Sequence, residues 1–373
     1  MKHLFLSCIL ASALSVNAQT TFYVDQSNPA ASDTNAGTAD APWSSLNTGK
    51  WTDGCTVIIK GEYYIDAEAD PNEITVDATL EGRDNAIIYG YEPDDEEPAD
   101  YNTFFTCTGH KLSVKNLTIS NYNNTDPEKG SFNGGVFSFG DDSELILDNV
   151  TISNVFHGCE SRRGGAISTS GKLTATNVRF ENCTACQGGA IAILGNNPAK
   201  FISCSFIGNN NDLGIECWAK GGVFYVNGND EGSDITIDRC YFEGNTSDCE
   251  GYQDRKYSAG GVMALNGAAP KLHISNSTFY GNIGGWAAGV LFFEKYTADD
   301  NNIDIRFTNN TFLGNTVLHS SINHGVLVYF NGASTDKLHG LLSFVNNTSF
   351  NNNTPNEQSV IYLNSCPLDV VLA

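Results

Sequence analysis

Residues 260–282 read Gly260-Gly261-Val262-Met263-Ala264-Leu265, a turn, Lys271-Leu272-His273-Ile274-Ser275-Asn276, then Ser277-Thr278-Phe279-Tyr280-Gly281-Asn282. Each apolar stretch is four to six residues long, rich in β-branched or aromatic residues and bounded by Gly, Asn, Ser or Asp. None sustains a 3.6-residue period for ten residues, so these are short strands rather than helix. The same order recurs up and down the chain. Its glycine-ended markers are Gly134-Gly135-Val136, Gly164-Gly165-Ala166, Gly188-Gly189-Ala190, Gly221-Gly222-Val223, Gly260-Gly261-Val262, Ala288-Gly289-Val290 and His324-Gly325-Val326. They lie 30, 24, 33, 39, 28 and 36 residues apart. A repeat of this size is the mark of a solenoid. Three strands per repeat in constant order predict a coiling chain whose equivalent strands stack in parallel, with right-handed connections.

Aligning the repeats on Asn276 places Asn116, Asn149, Asn177, Ser203, Arg239, Asn276, Asn309 and Asn347 in one column. Asn tolerates the left-handed bend, and its amide can bond to the same amide one coil away. Three residues on come Ile119, Ile152, Phe180, Phe206, Phe242, Phe279, Phe312 and Phe350, an expected inward stack. A further Asn follows at Asn209, Asn245, Asn282, Asn315 and Asn353. The ladder accounts for these asparagines without glycosylation, although Asn149, Asn245 and Asn276 also begin N-x-Ser/Thr sequons.

The repeat resembles that of polymorphic outer membrane proteins, marked by a GGA[IV]-like strand and a later FxxN. Gly164-Gly165-Ala166-Ile167, Gly188-Gly189-Ala190-Ile191 and the five Phe-x-x-Asn sites carry the resemblance, over roughly residues 103–373. It implies a right-handed parallel β-helix on a bacterial surface, often adhesin-like, with no catalytic residues. Upstream, Thr21-Phe22-Tyr23-Val24-Asp25, then Asp33, Asn35, Gly37 and Ala41-Pro42-Trp43-Ser44-Ser45-Leu46, is similar to the opening segment of secreted pectate-lyase-like β-helices. Lyases, hydrolases and non-enzymatic coats share that opening. The expected fold is therefore all-β, a single-stranded right-handed parallel β-helix of the pectin-lyase-like class. About ten coils at 4.7–4.9 Å each make a rod roughly 45–50 Å long.

The expected organisation is a signal peptide at 1–18, a capping segment at 19–54 and the β-helix over 55–373. Lys2, the apolar stretch from Leu4 to Val16 and Val16-Asn17-Ala18 form a secretory leader, too short to span a membrane. The last strands, Val360-Ile361-Tyr362-Leu363 and Leu368-Asp369-Val370-Val371-Leu372, are followed by no polar cap. A solenoid end exposes strand edges and core. The expectation is a fragment of a longer surface protein, or end-to-end self-association.

Without Lys2, 19 Lys+Arg face 43 Asp+Glu, a net charge of −24. Residues 19–100 alone hold 18 acids and 3 bases. Such a charge excludes nucleic acid as a partner. Ca²⁺ is the one cofactor left open, with Asp25, Asp33, Asp40 or the acidic run at 92–97 as candidate ligands, although no spaced Ca²⁺ loop is present. Ten cysteines remain after the leader, and export lets them pair. Cys159, Cys186, Cys217 and Cys249 occupy matching turns before a marker, which suggests Cys217–Cys249 and Cys159–Cys186 disulfides. Cys204 and Cys240 share the ladder position of Val150 and Val178 and read as stacked core residues.

For chemistry, His157-Gly158 with Arg162-Arg163 is the sole His/Arg cluster, and a solvated turn explains it as well. The combination of clustered Asp pairs with a Gly-His-Gly and an Arg-x-Lys that pectin hydrolases carry does not occur, and Asp141-Asp142 reads as turn composition. Two functions compete. One is a non-catalytic, adhesin-like or carbohydrate-binding surface protein whose partner is a polysaccharide, a host or cell-surface glycan, or a protein. The other is a polysaccharide lyase or glycoside hydrolase. A basic row beside a groove would favour the enzyme, and a uniformly acidic face the binder.

Overall fold

The computed structural model describes residues 20–66, 69–91, 100–124, 133–158, 162–213, 218–228, 233–248, 258–266, 271–294, 301–318, 325–331, 338–353, 359–364, 366 and 368–373. The proposed leader and the 92–97 acidic run lie outside these residues, as do Cys159, Cys217 and Cys249.

All pairings between strands are parallel, with the register shifting only between Lys60 and Glu62 and between Glu81 and Ile87. A 19-stranded sheet and a 10-stranded sheet run along the molecule, and a short 3-stranded sheet of Thr246–Ser247, Ile283–Gly284 and Thr316–Val317 spans three coils. The ten rungs of the second sheet, from Asn72–Ile74 to Ile361–Asn364, match the expected ten coils. Strand Thr21–Val24 adds a rung ahead of the first coil by pairing Thr21 with Thr56 and Val24 with Ile59. The fold is a right-handed parallel β-helix, the hand that parallel crossovers take. Among the described residues no helix is long and apolar enough to cross a membrane.

Period-two alternation points every second side chain inward. One interior column runs Leu112, Leu145, Leu173, Ala199, Ile235, Leu272, Ile305 and Leu342. Another is the aromatic stack: Phe180–Phe206, Phe206–Phe242, Phe242–Phe279 and Phe279–Phe312, at 5.1, 4.8, 4.6 and 5.0 Å between centroids. Burying one such ring is worth about 1.5–3 kcal/mol, and stacking adds about 0.5–1.5 kcal/mol.

Two bends shape each coil of the long sheet. At the first, Asn116, Asn149, Asn177, Ser203, Arg239, Asn276 and Asn309 all take φ of 52–57°, as expected. The amides of Asn149 and Asn177 donate to the preceding Asn at 2.9 and 3.1 Å. Five residues later a second left-handed column goes from Asn121, Asn154 and Asn182 to Gly208, Gly244, Gly281 and Gly314. The glycine markers answer a different need. Gly221 has φ +71°, and a Cβ on Gly222 would sit 2.2 Å from the Gly261 carbonyl oxygen of the next coil. The first marker position favours glycine for its left-handed φ, although Ala288 also holds it at φ 52°, and the second needs glycine because backbone crowds it.

Asn347 is a correction. The bend falls on Asn346, with φ 52° and an amide donating to Asn309 at 2.7 Å. The last aligned coil is thus shifted by one residue. Phe312 pairs with Ser349, and Phe350 lies on the outside at 63% exposure. The doubled Asn346-Asn347 permits both alignments in sequence, but pairing of Leu342 and Phe344 with Ile305 and Phe307 sets only one. The buried ladder consequently ends on Asn352, not Asn353.

Candidate functional site

The outward side chains of the long sheet's first segment, from each strand start to the first bend, form a face unlike the rest of this acidic chain. One column reads Lys111, Glu144, Lys172 and, two coils on, Asp234, Lys271, Asp304. Its neighbours include Lys115, Asp148, Lys200, Asp238 and Arg306. Bases (Lys60, Arg83, Lys111, Lys115, Lys172, Lys200, Lys271, Arg306) stand among acids (Glu81, Glu144, Asp148, Asp234, Asp238, Asp304, Asp369) in nearly equal number. The face is neither a basic row nor uniformly acidic. It is compensated.

Part of this charge is paired within it. Lys111 Nζ lies 3.5 Å from Glu144, and Lys115 lies 3.0 Å from Glu81, which Arg83 also meets at 3.0 Å. Burial pushes the Glu81 carboxyl up, but hydrogen bonds from Lys115 and Arg83 outweigh it and hold the group below the usual range. Arg306 grips both Asp304 oxygens at 2.6 and 2.9 Å, which lowers that carboxyl chiefly through the hydrogen bond.

Where these strands begin, the turns leave a polar cleft of about 290 Å³ lined by Asp77, His110, Lys111, Asp142, Ser143, Glu144, Lys172 and Asn197. Its walls are set by turn bonds between coils. The Lys111 amide donates to Asp77 Oδ1 at 2.9 Å, the Glu144 amide to the His110 carbonyl at 3.0 Å, and the Lys172 amide to the Ser143 carbonyl at 2.8 Å. His110 Nδ1 stands 3.7 Å from Asp77 Oδ1. Adjacent donors and carboxylates in an open cleft suit a hydroxyl-rich ligand.

The His/Arg cluster divides between inside and outside. His157 is fully buried, in register with Asn124 and Ala185, its Nδ1 3.4 Å from the Gly164 carbonyl and its Nε2 without a partner. Arg163 is on the outside, its Nε donating to Gln187 at 3.0 Å and its guanidinium 5.6 Å from the Tyr225 ring centre. Burial, then the charge of Arg162, push the His157 pKa down from 6.5 to about 4. A histidine depressed in the fold is neutral there while the unfolded chain protonates. Stability is whole above pH 6.5 and falls as pH drops to about 4, by about 3 kcal/mol. Denaturant midpoints across this window should decline in the wild type and stay flatter in His157→Phe; an equal slope in both would refute the assignment.

Of the Ca²⁺ candidates, Asp33 already works as a turn lock. Its Oδ1 accepts the Ser44 and Ser45 amides at 3.1 and 2.8 Å, and its Oδ2 accepts the Ser45 hydroxyl at 2.8 Å. Asp25 accepts Ser27 at 2.8 Å. The described residues contain no group of three or more His, Cys, Asp or Glu side chains that could hold a metal ion, so Asp25, Asp33 and Asp40 do not converge.

The profile of a family described as right handed beta helix region matches residues 102–290, 189 of the 373. The chain belongs to that family. Among solved structures, this right handed beta helix is similar to a rhamnogalacturonan lyase at 14% identity and a TM-score of 0.47, over 94% of this chain and 86% of that one. It is also similar to the A-modules of two mannuronan C-5 epimerases of Azotobacter vinelandii. AlgE4 shares 12% identity with a TM-score of 0.22, covering 85% of this chain and 91% of its own; AlgE6 shares 14% with 0.26, covering 85% and 89%. At such identities the likeness concerns fold alone. No curated protein matches.

The cleft residues His110, Lys111 and Lys172 escaped the reading of the sequence. The signal was there: Lys111, Glu144, Lys172, Asp234, Lys271 and Asp304 each stand five places before a bend residue.

Proposed function

We propose that this chain is an exported bacterial surface β-helix that binds a polysaccharide along the outer face of its long sheet without cleaving it. The observation that carries this reading is the compensated face with its polar cleft. Its acids and bases stand interspersed and some pair directly, so it offers hydrogen bonds rather than a strong field. A carbohydrate, on a microbial or host surface, is the partner that uses such a site. Nucleic acid is not, because the whole chain is strongly acidic. End-to-end association is a further proposal, supported by exposed Val370, Val371 and Leu372 on the outer strand Asp369–Leu372.

Titration of the full chain against neutral and uronate polysaccharides, by calorimetry or glycan array, tests the reading. Saturable binding that weakens at least about tenfold in Lys111→Glu/Lys172→Glu, with the fold intact by circular dichroism, is expected; about 1.4 kcal/mol per decade makes this a modest demand. Full binding by the double variant would refute the site.

The second reading, a polysaccharide lyase or glycoside hydrolase, draws on the same cleft, where His110, Lys111 and Lys172 stand beside Asp77, Asp142 and Glu144. Release of unsaturated or reducing ends, with or without Ca²⁺, that is lost in Lys172→Ala would replace binding by catalysis.

A further inference from the structure

One inward column changes character along the rod. It runs Val150 and Val178, then Cys204 and Cys240, then Ser277 and Asn310. The flanking pairs Ile202–Asp238 and Ser205–Tyr241 put Cys204 directly opposite Cys240 in adjacent coils. Neighbouring strands stand about 4.7–4.9 Å apart, inside the roughly 4.4–6.8 Å that a disulfide spans between Cα atoms. The Cys240 sulfur already leans toward its neighbour, accepting the Cys204 amide at 3.4 Å. Both thiols are buried, at 2% and 3% exposure. Sulfur is not required there for packing, since Val178 fills the position on one side and Ser277 on the other.

We propose that Cys204 and Cys240 form a disulfide site that staples these two coils together. The chain supplies both thiols, and the oxidant is an exchangeable disulfide such as an oxidising compartment provides. One thiolate attacks that disulfide, forming a mixed disulfide and expelling one thiol. The second thiolate then displaces the other thiol, so a Cys204–Cys240 S–S bond forms and the oxidant's bond is reduced to two thiols. The closed loop runs from residue 204 to residue 240, and closure stabilises by restricting the unfolded chain. The site does not depend on what the cleft binds.

The test is refolding of the full chain from denaturant in oxidised and reduced glutathione, so that burial cannot bar the reagent, followed by alkylation under denaturing conditions and peptide mapping. The expected product joins the Cys204 and Cys240 peptides, lighter by two hydrogens than the thiol forms together. Reductant should lower the denaturation midpoint of the wild type more than that of Cys204→Ser. Recovery of both residues as alkylated thiols or glutathione adducts, or of either joined to a different cysteine, overturns the proposal, and mapping decides the matter even if the serine variant folds poorly.

Discussion

Gly222→Ala is expected to cost more than about 4 kcal/mol and to open the helix around it, the size reserved for changes that a packed core cannot absorb. The new methyl would lie 2.2 Å from the Gly261 oxygen and 2.7 Å from the Thr246 oxygen. Both obstacles are backbone in neighbouring turns and coils, so no side chain can swing aside. Glycine at Gly281 is needed for a different reason. It has φ +62° with nothing within 4 Å of an added Cβ. Gly281→Ala should therefore cost only the left-handed strain, about 1–2 kcal/mol. Gly281→Asn should cost less, because Asn121, Asn154 and Asn182 hold the same bend upstream. Urea denaturation of the three variants checks the order, and equal losses at Gly222 and Gly281 would show that crowding between coils is not what the marker serves.

Asn282→Ala is expected to cost about 4 kcal/mol, whereas Asn276→Gly, six residues earlier, should cost about 1 kcal/mol. Both belong to asparagine ladders, but only one ladder is buried. The Asn282 amide donates to the Phe242 carbonyl at 3.1 Å and to Asn315 Oδ1 at 2.9 Å, while its own oxygen accepts the Asn245 backbone and side-chain N–H groups at 3.1 and 2.9 Å. Every donor and acceptor of the side chain is used. Truncation strands several buried partners at about 1–3 kcal/mol each, partly offset by relaxation. At the exposed bend, water replaces what Asn276 gives to Asp238 at 2.7 Å, and glycine accepts φ 52° freely. Thermal melts resolve a difference of this size. A loss at Asn276 matching that at Asn282 would mean that burial is not what makes the inner ladder strong.

Legibility followed repetition. The Phe column from Phe180 to Phe312 and the bend column from Asn116 to Asn309 recur at a constant offset, so alignment found them. It failed at Asn347, where two adjacent asparagines satisfy the same pattern and register is decided by Leu342 and Phe344 seating on Ile305 and Phe307. The second bend column escaped notice because it changes from Asn to Gly halfway, although φ is nearly the same throughout. His157 and Arg163 read as one cluster by proximity in sequence, yet one lies inside and the other outside.

The sequence alone determined the coil. Alternating apolar positions, glycine pairs where chains pass closely and asparagines at left-handed bends are local demands of the backbone, and they repeat in every unit. What only the tertiary structure decided is which residues of different coils meet. Lys111, Glu144 and Lys172 share a face because stacking at one strand spacing brings together residues 28 and 33 positions apart. Turn lengths vary from coil to coil, so sequence separation does not predict these encounters. The hydrogen-bonded register between neighbouring strands does.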